Sequence, residues 1–388
     1  MVFILLQIEN AYRQGTELCG VAVDLVKAYN MLPRLPVAAF AKMCGIPDSI
    51  LHPWISMLTQ LRRHFKVQGS TGPPLLSSTG FAEGDPLSCL AMAVLNIACH
   101  HNFRSVTNHG QLLSFVDNWR ALASSPEDLV SAHQAIADFA RAWDLFVNSD
   151  KTVVWCTSAK GRAALRQAGF PVTLDFRELG AHLASSRRGT NFTQTDRIRA
   201  LDEKWPRLHA ALHGISASPL GERHFIKLRS DAMKALGLRA PGANPTIQLS
   251  LVGHAISDPQ FFALQSTFRD AKFLAGHEAI APLLTAAALD LRKVPGPCTI
   301  LLQRANEVGI AWDPAKETFV DSLGPMDVWA LSWPEILQRL LFTWQDRVKQ
   351  IFAQRPTVEG LEGADPHLTT VVLNTLPKPA RALVRDFL

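Results

Sequence analysis

The chain has 388 residues, 47% of them hydrophobic and 19% charged, with a formal net charge of +5. That length supports two or three domains and a sizeable core, and the composition is ordinary for a soluble globular protein, with nothing that suggests disorder. The mild positive charge permits an anionic partner without requiring one, so its local distribution matters more than its sum.

The six cysteines, Cys19, Cys44, Cys89, Cys99, Cys156 and Cys298, form no C-x-x-C pair and no ladder of the secreted type. Free thiols in a reducing compartment are expected. The opening MVFILLQ has no basic leader and reaches Glu9 and Asn10 too soon for a signal-peptide core. The longest apolar run, Ala279 to Leu289, is interrupted by Pro282 and is too short to cross a bilayer. The sequence therefore predicts no targeting segment and no membrane span, and an intracellular protein, nuclear or cytoplasmic.

In chain order, Ile4, Leu5, Ile8 and Tyr12 recur at helical spacing ahead of Gly15, which predicts an amphipathic helix over residues 3–14. Cys19 to Val23 reads as an interior strand, and Asp24 sits where it ends. Residues 36–44 and 48–61 are predicted helices, separated by Gly45 and Pro47. His64 to Val67 and Leu75 to Ser78 read as two strands around the turn-rich GSTGPP, with Arg62, Arg63 and Lys66 as a small basic edge. That edge suits either a solvated hairpin or a nucleic-acid contact. In STGFAEGDPLS, Gly80 and Gly84 permit close backbone approach, and Asp85-Pro86 caps a helix from about Leu87 to Phe103.

The stretch LLSFVDNW, Leu112 to Trp119, is predicted to be a buried strand that ends in a two-residue turn, Asp117-Asn118. Trp119 to Ala123 returns as its hairpin partner. Asp and Asn are also ordinary turn formers. What raises the interest of this pair is the second strand-end carboxylate, Asp24, far upstream, with a glycine-rich segment between the two. One carboxylate on each of two neighbouring strands can bridge a pair of Mg²⁺ ions in phosphoryl transfer. Ser125 with Pro126, Glu127 and Asp128 then starts a helix whose core face is Leu129, Ile136, Phe139 and Trp143. Lys151 stands at the entrance to a strand over residues 152–156, where it can reach a triphosphate or protonate departing pyrophosphate.

This order of pieces resembles the palm of a reverse transcriptase, and specifically that of non-LTR, LINE-like retrotransposons. VAVDLVKAYN is similar to the family's motif A, STGFAEGDPLS to motif B, FVDNW to motif C, VNSDKT to motif D, and RELGAHL to the segment that begins the primer grip. The resemblance covers residues 1–185 and implies an α+β fold: a polymerase palm, a small antiparallel sheet backed by helices, with partial fingers. It implies RNA-directed DNA synthesis by a nucleotidyltransferase, with an RNA template, a DNA primer and deoxynucleoside triphosphates as partners and two Mg²⁺ ions, or Mn²⁺, as cofactors. Asp24, Asp117 and Asn118 would form the catalytic set, with Asp24, Asp117 and the Leu25 carbonyl as metal ligands. Tyr29, Gly84, Asp85, Ser88 and Lys151 would bind the nucleotide. Arg62, Arg63, Lys66, Leu179 and Gly180 would meet primer and template.

Three departures from the family pattern stand beside these matches. Asn118 occupies the place of a second aspartate and brings one negative charge fewer. Glu83 replaces the glutamine of motif B. The stretch before Asp24 is too short for a full fingers region, so an N-terminally truncated palm is expected. A second reading is therefore a remnant that keeps the fold, lacks the chemistry and at most binds nucleic acid.

From Arg187 to Arg239 the balance turns basic, with Arg187, Arg188, Arg197, Arg199, Lys204, Arg207, Arg223, Lys227, Arg229, Lys234 and Arg239 outnumbering the acids. Ile198, Leu201, Trp205, Leu208 and Leu212 give this region a helical core stripe that leaves the basic residues largely outside. Residues 186–240 are the expected place of a thumb, whose basic face either tracks phosphates or is simply solvated. His209 and His213 are one turn apart but lack the glutamate of a zinc-protease motif. Residues 241–388 read as a helical C-terminal region of unassigned role, including a helix from about Trp333 to Phe352.

Overall fold

A computed structural model describes residues 2–64, 66–77, 79–82, 85–178, 181–186, 192–200, 212, 214–235, 244–246, 249, 258–274, 280–290 and 294–353. The chain forms two compact units: Thr16–Leu174, and Met1–Gly15 together with Asp175–Leu388. The architecture is α+β, small antiparallel sheets among helices. Among the described residues no helix is long and apolar enough to cross a membrane.

Helix α1 (Val2–Gln14) buries Ile4, Leu5, Leu6 and Ile8 and belongs to the second unit. The first unit opens with β1 (Cys19–Asp24), then α2 (Ala28–Met31), α3 (Arg34–Met43) and α4 (Asp48–Gln60). Two short ladders follow: β2 (Arg62–Arg63) pairs with β5 (Leu75–Leu76), and β3 (Lys66–Val67) with β4 (Ser70–Thr71). The expected pairing of His64–Val67 with Leu75–Ser78 is thus replaced by two nested ladders, because Gln68 and Gly69, both at positive φ, already turn the chain between β3 and β4. Helix α5 (Pro86–Val106) is capped by Asp85, whose side chain accepts from Leu87 N at 3.1 Å. The hairpin β6 (Gly110–Phe115) and β7 (Asn118–Ala123) leads to α6 (Pro126–Ala142), capped by Ser125, then to β8 (Val153–Cys156) and α7 (Ala159–Gln167).

The sheet order is β6-β7-β1-β8, with every neighbour antiparallel. Because side chains alternate along a strand, Cys19, Val21 and Val23 share one face with Ala123, Ala121 and Trp119. That face is the core, packed with α5 through Ala91 and Leu95 and with α6 through Leu129, Ile136 and Phe139. Trp119 stacks edge-on against Phe139, with centroids 5.7 Å apart. Leu112 to Phe115 departs from the buried strand expected of it. β6 is an edge strand on which only Leu112 is buried and Phe115 is 58% exposed, while the interior position and the burial pass to β7.

On the opposite face Gly20 lies across from Trp155. A Cβ at Gly20 would stand 2.2 Å from the indole, so only glycine lets this buried ring lie flat on the strand.

The second unit adds the hairpin β9 (Asp175–Glu178) and β10 (Ala181–Ala184), α8 (Phe192–Ala200), α9 (Glu222–Ala235), α10 (Pro259–Leu274), α11 (Ile280–Leu289) and α12 (Pro297–Glu307). A meander of β11 (Ala311–Asp313), β12 (Thr318–Asp321) and β13 (Gly324–Met326) follows, and then α13 (Trp333–Ala353). The meander is a small sheet within the mostly helical region that the sequence suggested. Its strands are too short for an alternation signal, and it is fastened by Phe319 and Met326 in a core shared with Leu6, Phe261, Phe268, Leu340 and Trp344. Glu9 of α1, with no exposed surface, accepts from Cys298 N at 2.8 Å and Thr299 N at 3.1 Å and so caps the start of α12.

Replacing Gly20 by alanine is expected to destabilise the chain by about 1–3 kcal/mol, the usual cost of overpacking a closed interior. A denaturant midpoint unchanged in Gly20→Ala would show that Trp155 can move aside.

Candidate functional site

Three segments distant in sequence meet at one end of the four-stranded sheet. Asp24 ends β1, and its Cα partner in the ladder is Asn118, the first residue of β7. Directly opposed residues of an antiparallel pair project from the same face, which sets the Asp24 carboxylate beside the Asn118 carboxamide. Asp117 immediately precedes Asn118 in the hairpin turn, and its Oδ1 accepts from Asn118 Nδ2 at 3.1 Å. Lys151, from the loop before β8, places Nζ 3.1 Å from Asp24 Oδ2.

The turn itself is one residue earlier than expected. Phe115 pairs with Asn118, so Val116 and Asp117 form the two-residue loop and Asn118 belongs to the strand. Val116 has φ of 55°, positive at the first loop position in the manner of a type II′ turn. A β-branched residue is strained there by on the order of 1–3 kcal/mol. The surroundings hold it. Asn96 on α5 donates through Nδ2 to the Val116 carbonyl at 3.0 Å and accepts from Trp119 Nε1 at 2.7 Å. Asn96 thus joins the turn to the fully buried indole behind it, a positioning role that sequence reasoning missed.

The Asp24 side is fixed by its own backbone. Asn148 N donates to the Asp24 carbonyl at 2.8 Å, Leu25 bridges Val147, and Val26 N donates to the Phe146 carbonyl at 2.8 Å. These bonds lay the 146–148 loop along β1 and deliver Lys151 to Asp24. Lys27, at φ 47°, is a second non-glycine residue at positive φ flanking the site, where the strand turns into α2.

Tyr29 is half-buried, its hydroxyl 3.9 Å from Cys89 Sγ and its carbonyl accepting from Phe81 N at 2.7 Å. Gly80 continues the same contact: its N donates to the Leu32 carbonyl at 3.0 Å, its φ is +77°, and a Cβ there would stand 2.3 Å from the Asn30 carbonyl oxygen. Glycine is required at that position. Arg34, 5% exposed, locks the loop from beneath by donating to the carbonyls of Gly80, Leu58 and Ser77 at 2.8, 2.7 and 2.6 Å. Sequence pattern carries no signal for this, because all three acceptors are backbone oxygens. Ser88 is buried, and its hydroxyl donates to the Ala82 carbonyl at 2.7 Å. Asp85 is the helix cap already described.

Arg62, Arg63 and Lys66 lie on the short β2 and β3 ladders, with Arg62 and Lys66 exposed. Glu83, Gly84, Leu179, Gly180, Arg187, Arg188, Leu201, Lys204, Trp205, Arg207, Leu208, His209, His213 and Arg239 lie outside the described residues. The side chains of Arg199 and Lys234 are likewise not described. Arg229 departs from an outward basic face: it is 6% exposed and engages Asp258 at 2.9 Å and Gln260 at 2.6 Å. Its cost of burial is met by that pair, which leaves it no part in a solvated stripe.

Chemically, Asp24, Asp117 and the Asn118 carboxamide oxygen are hard donors of the kind that suit Mg²⁺ or Mn²⁺. The Lys151 ammonium now balances one of the two carboxylates. With the Lys151 side chain 66% exposed, that ion pair is weak and readily exchanged for another cation.

The sequence matches no protein-family model and no curated protein. Among solved structures the chain is similar to telomerase from Candida tropicalis in complex with a TWJ fragment of telomeric RNA, at 11% identity, 93% of this chain, 51% of that chain and TM-score 0.39. It is also similar to apo telomerase of that organism, at 12% identity, 93% and 55% coverage and TM-score 0.39. A third is telomerase from Candida albicans in complex with a TWJ fragment, at 9% identity, 97% and 52% coverage and TM-score 0.36. The chain spans about half the length of these three telomerase chains.

Two predictions follow from the hairpin. Asn96→Ala removes the bond to the Val116 carbonyl and orphans the buried Trp119 Nε1, and should cost about 1–3 kcal/mol in a denaturant titration. A loss of only a few tenths would mean the turn holds itself. His100 on α5, 3.0 Å from Ser114 Oγ of β6, has its pKa lowered from the ordinary 6.5 by burial first and by Arg104 second. Burial lowers His133 in the same way. The unfolded chain therefore takes up these protons first, so the stability is complete above pH 6.5 and declines as pH falls from there toward the lowered folded values. Melting temperature should drop with acidification through that window, and less steeply in His100→Gln; identical slopes would count against the assignment.

Proposed function

We propose that this chain is a reverse-transcriptase-like protein of a non-LTR, LINE-like retroelement, which carries out RNA-directed DNA synthesis by two-metal nucleotidyl transfer. The observation that carries the reading is the convergence on one sheet end of Asp24, of Asp117 with Asn118, and of Lys151. Chance motif matches scattered over the chain have no reason to meet. The substrates are deoxynucleoside triphosphates on an RNA template with a DNA primer, and the palm falls within residues 1–185, of which Thr16–Leu174 is one compact unit, followed by a thumb over 186–240 and a C-terminal region over 241–388.

In this reading Asp24, Asp117 and the Leu25 carbonyl would hold Mg²⁺, or Mn²⁺, which when bound would supply activation of the primer 3′-hydroxyl and neutralisation of charge on the leaving pyrophosphate. The chain's own residues do the rest. Asn118 orients Asp117 through its amide N–H. Tyr29, braced against the Gly80–Phe81 backbone, supports the incoming sugar, and Asp85 and Ser88 hold the start of α5 against the template strand. Lys151 leaves Asp24 when the nucleotide arrives and supplies a proton to pyrophosphate. Arg62, Arg63 and Lys66 steer the nucleic acid by charge.

A second reading has its own observation. Asn118 brings one negative charge fewer, and Lys151 already partners Asp24, as in a remnant that retains the fold and at most binds nucleic acid. Primer extension on an RNA template, with Mg²⁺ and then Mn²⁺, separates the two. The parent chain is expected to extend, Asp117→Ala to lose activity by roughly a hundredfold or more, and Asn118→Asp to extend at least as well as the parent. Extension by Asn118→Asp alone would assign the parent to the remnant with a single lesion. Folded but silent proteins in all three cases would overturn the enzyme reading.

A further inference from the structure

At the end of β1 away from Asp24, Cys19 and Cys156 are directly opposed across the β1–β8 ladder. Neither thiol has exposed surface, and their Sγ atoms are 2.9 Å apart, with Cys19 donating to Cys156. Directly opposed residues of an antiparallel pair have Cα atoms about 4.5–5.5 Å apart, within the range a disulfide needs, so the backbone is already set for one.

The surroundings differentiate the two sulfurs. Cys156 is the last residue of the edge strand β8. Ser158 donates to Glu17 Oε1, and Cys156 Sγ lies 3.6 Å from that same oxygen, so Glu17 and Ser158 close over the pair at the sheet's corner. Ser158 also caps α7 by accepting from Gly161 N at 2.8 Å. The bond from Cys19 lowers the Cys156 pKa and holds Cys19 protonated. Cys156 ends the edge strand at the sheet's corner while Cys19 lies on the interior strand β1, and that position makes Cys156 the attacking sulfur and Cys19 the resolving thiol.

Glu17, Cys19 and Cys156 are also, among the described residues, a group whose ligating atoms lie within 4.8 Å of one another. Spacing argues against an ion there. Two thiolates on one tetrahedral zinc, with Zn–S of about 2.3 Å, stand roughly 3.8 Å apart. The observed Sγ–Sγ separation of 2.9 Å is well short of that, so the pair is spaced for a bond between the sulfurs and not for a shared ion.

We propose that Cys19 and Cys156 form a redox-active dithiol that hydrogen peroxide converts to an intramolecular disulfide pinning β8 to β1. The Cys156 thiolate attacks a peroxide oxygen and the O–O bond breaks. The departing hydroxide takes the proton released by Cys156, leaving water and a sulfenic acid. Cys19 then attacks that sulfur, the S–S bond forms, and the S–O bond breaks. Hydroxide leaves with the Cys19 proton as a second water. The two sulfurs lose two electrons and the peroxide oxygens gain them. This site is independent of the polymerase reading.

The test uses the full chain with the exposed thiols removed as Cys44→Ser and Cys89→Ser. Protein treated with hydrogen peroxide is denatured in an alkylating agent, digested and weighed. The expected product is a Cys19–Cys156 linked peptide lighter by two hydrogens, reversed by dithiothreitol and accompanied by a rise in melting temperature. With Cys19→Ala added, a sulfenic-acid probe should label Cys156. Both thiols fully alkylated after peroxide, a link through Cys99 or Cys298 instead, or stoichiometric zinc that protects the pair would each overturn the proposal. The first measurement needs no change at either cysteine, so misfolding of Cys19→Ala does not spare it.

Discussion

The pairing of β1 with β7 is the constraint on which the candidate site depends. It sets Asp24 against Asn118 at one end of the strand and Cys19 against Ala123 at the other. A slip of one residue would exchange the faces of every side chain on β1, turn the carboxylate into the core and expose valines. The register is held on both sides of the sheet. Val21 and Val23 pack with Ala121 and Trp119 beneath the helices, and Gly20 admits Trp155 above. Neither contact involves the Asn118 side chain, so the register does not depend on it, whereas the orientation of Asp117 does.

What the sequence made legible was whatever local chemistry dictates. Asp85-Pro86 and Ser125-Pro126 start helices because a side-chain acceptor and a fixed φ act within one turn, and both caps form. β1 was legible as an unbroken apolar run with a carboxylate at its end. The hairpin turn was displaced by one residue because Val116 in the left-handed region carries no sequence signal; Asp-Asn is the better turn pair in isolation, and the ladder overrides it. Edge and interior strands were confused for a related reason, since β6 is apolar in composition but has a neighbour on one side only.

The residues missed altogether were those whose partners lie far away in sequence. Asn96 reads as an ordinary polar position on a long helix, and only the fold brings Val116 and Trp119 to it. Arg34 stands out in no motif, yet it is buried and donates to three carbonyls. The β11–β13 meander is built of three- and four-residue strands whose alternation is too short to be seen. Its Phe319 acquires meaning only beside Phe268 and Trp312, 5.0 and 4.8 Å away.

Charge at the site is balanced in a way that bears on its chemistry. Two carboxylates share their surroundings with one ammonium and one neutral amide, a net charge of about −1 where a second aspartate would make it about −2. That weakens the hold on a free divalent cation. Two features act the other way. Asn118 donates to Asp117, so this carboxylate is oriented before any ligand arrives and loses less freedom on binding. The Lys151 contact is exposed, and high dielectric makes it inexpensive to break. In the proposed reading a cation entering with a triphosphate brings further oxygen ligands of its own, while the phosphates give Lys151 a more highly charged partner than Asp24. In that reading, Asn118 in the place of a second aspartate would shift the balance from a site that binds metal first to one in which metal and nucleotide stabilise each other.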